Sequence, residues 1–130
     1  MKLDMLGIVC KDIGASLAFY RTLGLDAPSS WEGPYVEMTL EGGLRLSWND
    51  LEMVKGLDSH WEPPTGQRLG MAFLCDSVAD VDARYERTTQ AGYTGYTPPF
   101  DAFWGQRYAT VTDPDGNNVD LFCPLEATSS

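Results

Sequence analysis

Hydrophobic and polar positions along the chain change period several times, and each change marks an element. Leu3 to Cys10 alternates as a strand does, and after Asp12 the stretch Ser16 to Leu23 places Leu17, Phe19, Tyr20 and Leu23 on one helical face, closed by Gly24. Tyr35 to Leu40 and Leu44 to Trp48 alternate again on either side of Glu41-Gly42-Gly43, which predicts a hairpin whose turn glycines take positive φ. The second half repeats this grammar. Leu69 to Cys75 reads as a strand, Val78 to Ala91 as a helix closed by Gly92, and Gln106 to Thr112 with Asn117 to Phe122 as a hairpin around Asp113-Pro114-Asp115-Gly116-Asn117. Cys10 and Cys75, Ile8 and Phe73, and Tyr20 and Tyr85 match at one common offset, so the chain reads as an internal repeat of two βαβββ modules. Edge strands are expected near Asp26 to Trp31 and Tyr93 to Thr97. Two prolines and a glycine make Asn49 to Arg68 a connector. The organisation predicted is one α+β domain over 1–130, with modules at about 3–49 and 68–124 and a connector at 50–67.

Alternation also assigns faces. Ile8, Cys10, Val36, Leu46, Phe73 and Leu121 form an apolar, helix-facing row, while the opposite row carries Tyr35, Glu37, Arg45, Ser47, Gln106, Tyr108 and Asp120. Gly7, Gly70 and Ala72 clear room in the middle of that second row, and Tyr35, Tyr108 and Phe122 supply walls. Its composition suits a concave ligand site, although a solvated sheet face would also be polar.

Composition narrows the chemistry. The 130 residues hold 19 Asp plus Glu against 9 Lys plus Arg, a formal charge of −10, which disfavours nucleic acid as a partner. No apolar run approaches the roughly 20 residues of a membrane span, and a cytoplasmic location is expected. Cys10, Cys75 and Cys123 are an odd number without Cys-x-x-Cys spacing, which reads as buried thiols rather than a disulfide framework or zinc site.

The two modules, the opening Leu6-Gly7-Ile8-Val9-Cys10-Lys11-Asp12, the helix Ser16-Leu17-Ala18-Phe19-Tyr20 and the closing run Asp113 to Phe122 together resemble the vicinal oxygen chelate superfamily of glyoxalase I, extradiol dioxygenases and bleomycin-resistance proteins. The resemblance implies an incomplete barrel, a homodimer and, in metal-dependent members, a divalent ion held from the first and last strand of each module. Those positions fall on Met5, Arg45, Gly70 and Asp120, and only Asp120 is a ligand for a hard cation. No metal and no other cofactor is therefore expected. Arg45 either pairs with Asp120 across the former metal position or clamps a ligand carbonyl or carboxylate.

Within the superfamily the chain looks most like metal-free, drug-sequestering proteins of the mitomycin-binding type. The supporting segments are Leu44-Arg45-Leu46-Ser47-Trp48, Trp61 with Pro64-Thr65-Gly66, Gly92-Tyr93-Thr94-Gly95 and Asp101 to Ala109. The last places Phe100, Phe103 and Trp104 before a strand that opens onto the cup, where rings stack on a planar ligand or plug the mouth. Trp61 lies in the connector, as a lid over the core or as a ligand contact, and Trp48 joins the expected ligand-binding set. The resulting expectation is a protein without catalytic residues that sequesters a planar aromatic or cationic natural product. Its rivals are an enzyme, a lyase, isomerase or dioxygenase of the same superfamily that either retains a metal through unexpected ligands or uses Glu37 or Asp120 as base without one, and a regulatory or scaffold domain whose cup is filled by its own side chains.

Overall fold

The computed structural model describes residues 1–125. The chain runs β1 (Met5–Cys10), α1 (Ile13–Leu23), β2 (Tyr35–Thr39), β3 (Arg45–Asp50), α2 (Leu51–Leu57), β4 (Met71–Leu74), α3 (Val78–Gln90), β5 (Thr94–Ala102), β6 (Gln106–Thr112) and β7 (Asn118–Pro124). Two sheets form, one in the order β1-β3-β2 and the other β4-β7-β6-β5. Within each, the first strand runs parallel to the last and the remaining neighbours are antiparallel. No strand of one sheet bonds to a strand of the other, so the α+β fold is an open arrangement and not a closed barrel.

Helix α1 begins three residues before the expected Ser16, because the Asp12 carboxylate accepts the Ala15 N–H at 3.1 Å and caps a turn whose first residue, Ile13, is buried. It ends where Gly24, at φ 123°, lets its N–H reach back to the Tyr20 and Arg21 carbonyls. Ser77 caps α3 in the same way, accepting the Asp80 N–H at 3.0 Å. The two helices tie the halves together. Arg84 donates to the Leu23 carbonyl at 2.8 Å and Arg87 to the Thr22 carbonyl at 2.7 Å, so two cations sit on the carbonyl end of α1, where the helix dipole favours them. On the other side, the buried Tyr20 hydroxyl donates to the buried Asp113 carboxylate at 2.8 Å. One hydrophobic cluster, including Leu17, Phe19, Tyr20, Leu46, Val111 and Leu121, draws on both halves.

Three expectations are corrected. The connector contains α2, which Asp50 caps by accepting from the Glu52 and Met53 N–H groups. Asp26 to Trp31 forms no strand; Pro28 removes a donor, and Trp31 packs instead against Gly14 at the start of α1. The first half is therefore βαββ and only the second is βαβββ. The Tyr93 to Thr97 edge strand is longer than expected, running to Ala102 through Pro98 and Pro99. Those prolines are tolerated because β5 is a sheet edge, and the pairing shifts register between Gly95 and Thr97 and again between Thr97 and Phe100.

Candidate functional site

Strand register sets which side chains share a face. In the first sheet, Met5 lies beside Arg45 and Thr39, Gly7 beside Ser47 and Glu37, and Val9 beside Asn49 and Tyr35, all on the side away from the core residues Ile8, Val36 and Leu46. In the second, Ala72, Asp120, Thr110 and Thr97 make a polar row. The neighbouring row, Leu74, Phe122, Tyr108 and Phe100, is apolar and aromatic.

The open face of the first sheet is organised around Arg45. Its guanidinium bonds to Asp4 at 2.6 Å and to Glu37, while Tyr35 donates to Glu37 at 3.0 Å. The Asp4 hydrogen bond, followed by Glu37, holds the Arg45 pKa above its ordinary value. Asn49 donates to Ser47 Oγ at 3.0 Å and to the Ile8 carbonyl at 3.3 Å, covering Ser47 to 1% exposure. A side chain at Gly7 would press on both, its Cβ 3.2 Å from Asn49 Nδ2 and 3.3 Å from Ser47 Oγ.

The open face of the second sheet is aromatic at one end and acidic in the middle. The centroids of Trp104 and Tyr108 are 5.2 Å apart, those of Phe100 and Tyr108 6.0 Å, and those of Phe100 and Trp104 6.2 Å, with interplanar angles of 80°, 81° and 89°. Trp104 Nε1 donates to Gln106 Oε1 at 2.8 Å, which fixes the indole over the start of β6. Phe103 stands edge-on to Trp104 at 5.0 Å and is almost wholly in solvent. Asp120 accepts from Thr110 Oγ1 at 2.8 Å. Burial, and then the neighbouring Asp120 carboxylate, push the Tyr108 phenol up to about 12.

The expected site residues thus fall in four places. Tyr35, Glu37, Arg45 and Ser47 share the first open face, and Phe103, Trp104, Gln106, Tyr108 and Asp120 the second. Trp61 follows α2, half-buried, with Lys55 Nζ 5.8 Å from its ring centroid. Trp48 is a correction: it is fully buried on the helix-facing side of β3, edge-on to Tyr20 at 5.7 Å, and belongs to the core. Strand alternation from Leu46 puts it there, against the run of residues that suggested a ligand contact. An Arg45 to Asp120 ion pair does not form either, since Arg45 is engaged by Asp4 and Glu37 and Asp120 by Thr110. Asp4 and Asn49, which order the first face, escaped the sequence reading because each acts through a neighbour. Cavities of about 350 Å³, beside Glu62 to Arg68, and about 700 Å³, between the end of α1 and the free edge of β4, are lined by none of these residues.

Donor chemistry does not fit a bound metal ion. Met5 Sδ accepts from Tyr35 at 3.2 Å, Arg45 is a permanent cation in two ion pairs, and Gly70 has no side chain. Register also moves the position paired with Asp120 from Gly70 to Ala72, and the equivalent pair in the first sheet is Gly7 with Ser47, so Asp120 remains the one carboxylate in either set. Among the described residues no three His, Cys, Asp or Glu side chains converge as a metal site. No helix described is long and apolar enough to cross a membrane.

Comparison with solved structures finds the same architecture repeatedly. A glyoxalase/bleomycin resistance protein/dioxygenase family enzyme from Burkholderia phytofirmans superposes with a TM-score of 0.83 at 20% identity, covering 96% of this chain and all (100%) of that one. A glyoxalase/bleomycin resistance protein/dioxygenase from Nocardioides gives 0.76 at 27% identity, over 98% of this chain and 85% of that one. Lactoylglutathione lyase from Agrobacterium tumefaciens gives 0.69 at 21% identity, over 94% and 92%. In sequence, an uncharacterized protein of Mycobacterium bovis is 43% identical over 49 residues, 38% of this chain and 32% of its own length, so the match spans about a third of that relative. Residues 2–121 match the family description Glyoxalase/Bleomycin resistance protein/Dioxygenase superfamily, and with the open two-sheet fold in agreement the chain belongs to that superfamily.

Proposed function

We propose that this chain is a metal-independent binding protein that sequesters a planar natural product of antibiotic size, of the mitomycin, quinoxaline or bleomycin kind, and so protects its host from the compound. One observation carries the reading: Phe100, Trp104 and Tyr108 form an aromatic cluster on an open sheet face, with Phe100 39% and Trp104 48% exposed, beside one ordered carboxylate. Large apolar rings held in water by a rigid strand supply stacking area at little entropic cost. Gln106, Tyr108 and Asp120 then orient the ligand through hydrogen bonds. Micromolar binding needs about 8 kcal/mol, which a ligand of roughly 25 heavy atoms reaches at about 0.3 kcal/mol each.

A homodimer belongs to this proposal. The free edges of β1 and β4 leave backbone groups unpaired, and a ligand lying on one sheet has a single wall. A second copy supplies cover for both, and light scattering that finds only monomer at micromolar concentration rejects this part. The enzymatic alternative draws on the structural likeness to lactoylglutathione lyase; of its candidate bases, Glu37 is engaged by Arg45 and Tyr35, and Asp120 accepts from Thr110. The deciding experiment is a tryptophan-emission titration with mitomycin, quinoxaline and bleomycin compounds, together with elemental analysis of gently purified protein. Saturable quenching without stoichiometric metal supports sequestration. Stoichiometric metal, or no quenching at tens of micromolar, overturns it.

A further inference from the structure

Resting on that reading, we infer that the ligand carries a compact organic cation, a quaternary or protonated amine, and that the Phe100, Trp104 and Tyr108 rings with Asp120 receive it. A neutral flat molecule is best held in a slot between two parallel rings. No such slot exists here, because every ring contact in the cluster, including that of Phe103 with Trp104, lies between 80° and 89°. The rings meet edge to face, yet Phe100 stays 39% and Trp104 48% exposed, so part of their π-surface is open to solvent. A cation resting on that surface falls within the roughly 6 Å over which ring quadrupoles hold it. One planar ligand face stacked on the exposed indole and an ammonium group beside Asp120 are compatible in a single molecule.

Charge selects the same class. Tyr108 lies one step along β6 from Thr110, and Thr110 bonds to Asp120, so the carboxylate borders the aromatic row. Its hydrogen-bond donor Thr110 is neutral, and among the described residues no ion pair neutralises it. The nearest arginine on β6, Arg107, points to the helix side, where Asp82 at 2.9 Å and Asp101 at 3.0 Å hold it. With a chain charge of −10 behind it, an anionic ligand is repelled from this face and a cation is drawn in.

The test compares (1-naphthylmethyl)trimethylammonium with its uncharged carbon isostere, in which tert-butyl replaces trimethylammonium, by calorimetric titration of the full chain. The cation is expected to bind at least about tenfold tighter, and the ratio to fall toward one in Asp120→Asn. Phe100→Leu, which keeps an apolar side chain but removes one ring, is expected to lower the ratio severalfold, and circular dichroism checks that each variant is folded. Equal binding of the two probes overturns the cation inference and leaves planar sequestration standing. Failure of both probes, with failure of the antibiotic titration above, overturns both.

Discussion

Tyr20→Phe deletes a single oxygen from the contact that joins α1 to the β6–β7 turn. The hydroxyl donates at 2.8 Å to Asp113, and Tyr20 and Asp113 are 0% and 4% exposed, so no water replaces the lost donor without rearrangement. A hydrogen bond to a charged group contributes about 1.5 to 3 kcal/mol. Asp113 keeps three donors, the Asp115 and Asn117 N–H groups and the Asn117 side-chain amide, which places the expected loss at about 2 kcal/mol. For a domain of this size that lowers Tm by roughly 6 to 10 °C. The pH dependence is a second, independent signature. Burial first, and then Asp113, raise the Tyr20 pKa far above its ordinary value, so the folded state keeps a proton that the unfolded chain releases above about pH 10. The stability Tyr20 confers is thus full below pH 10 and declines as pH rises, and the difference between wild type and Tyr20→Phe shrinks over the next one to two pH units. A thermal melt at pH 7 gives the Tm change, and urea titrations at pH 7, 9, 10.5 and 11.5 give the pH dependence. A Tm change below about 1 °C at pH 7, or a difference that stays constant to pH 11.5, refutes the assignment of this bond as a tie between the halves.

Gly24→Ala drives a Cβ into Arg84 Nη1 at a residue with φ 123°, so backbone strain and the loss of Arg84 from the α1 terminus act together; a destabilisation of roughly 2 kcal/mol or more is expected in urea titration, and a change under about 0.5 kcal/mol rules the clamp out. Trp104→Ala removes a half-exposed ring whose hydrogen bond is to Gln106 alone, so Tm stays within a few degrees while affinity for a planar ligand falls about tenfold, both read on the same preparation. Wild-type stability declines above about pH 9, because burial pushes the Cys10 and Cys75 thiols up to about 11 and Tyr108 is pushed up to about 12. All three are raised, so their contribution is present at neutral pH and lost as the unfolded chain deprotonates first; a flat stability profile from pH 8 to 11 contradicts it.

Where one physical rule governs a residue, the sequence made it readable. Alternation put Ile8, Val36 and Leu121 on one side and Glu37, Tyr108 and Asp120 on the other, and the registers agree with that partition. Trp48 shows the failure that follows when a neighbouring motif is weighted above the same rule. Two residues after the buried Leu46, it has to share Leu46's face. Helix α2 was hidden for a different reason. Its seven residues include Gly56, none of its side chains is fully buried, and a one-sided apolar stripe never develops. Its start is set by Asp50, whose carboxylate caps the first turn that holds Glu52.

The candidate site was less legible than the fold because its key relations are between strands distant in sequence. Asp120 faces Ala72 and Thr110 only once β7 has been placed between β4 and β6, and no spacing along the chain announces that order. The same placement explains why Arg45 and Asp120, expected together at the former metal position, do not meet: each is claimed by an acceptor or donor on its own sheet, Glu37 for one and Thr110 for the other. Two local satisfactions have replaced one shared centre. The first sheet thereby spends its open-face Arg45 internally, while the second retains Asp120, which no ion pair neutralises among the described residues, next to exposed rings. That asymmetry between two halves of one repeat is the physical reason to assign ligand recognition to the second sheet and an ordering role to the first.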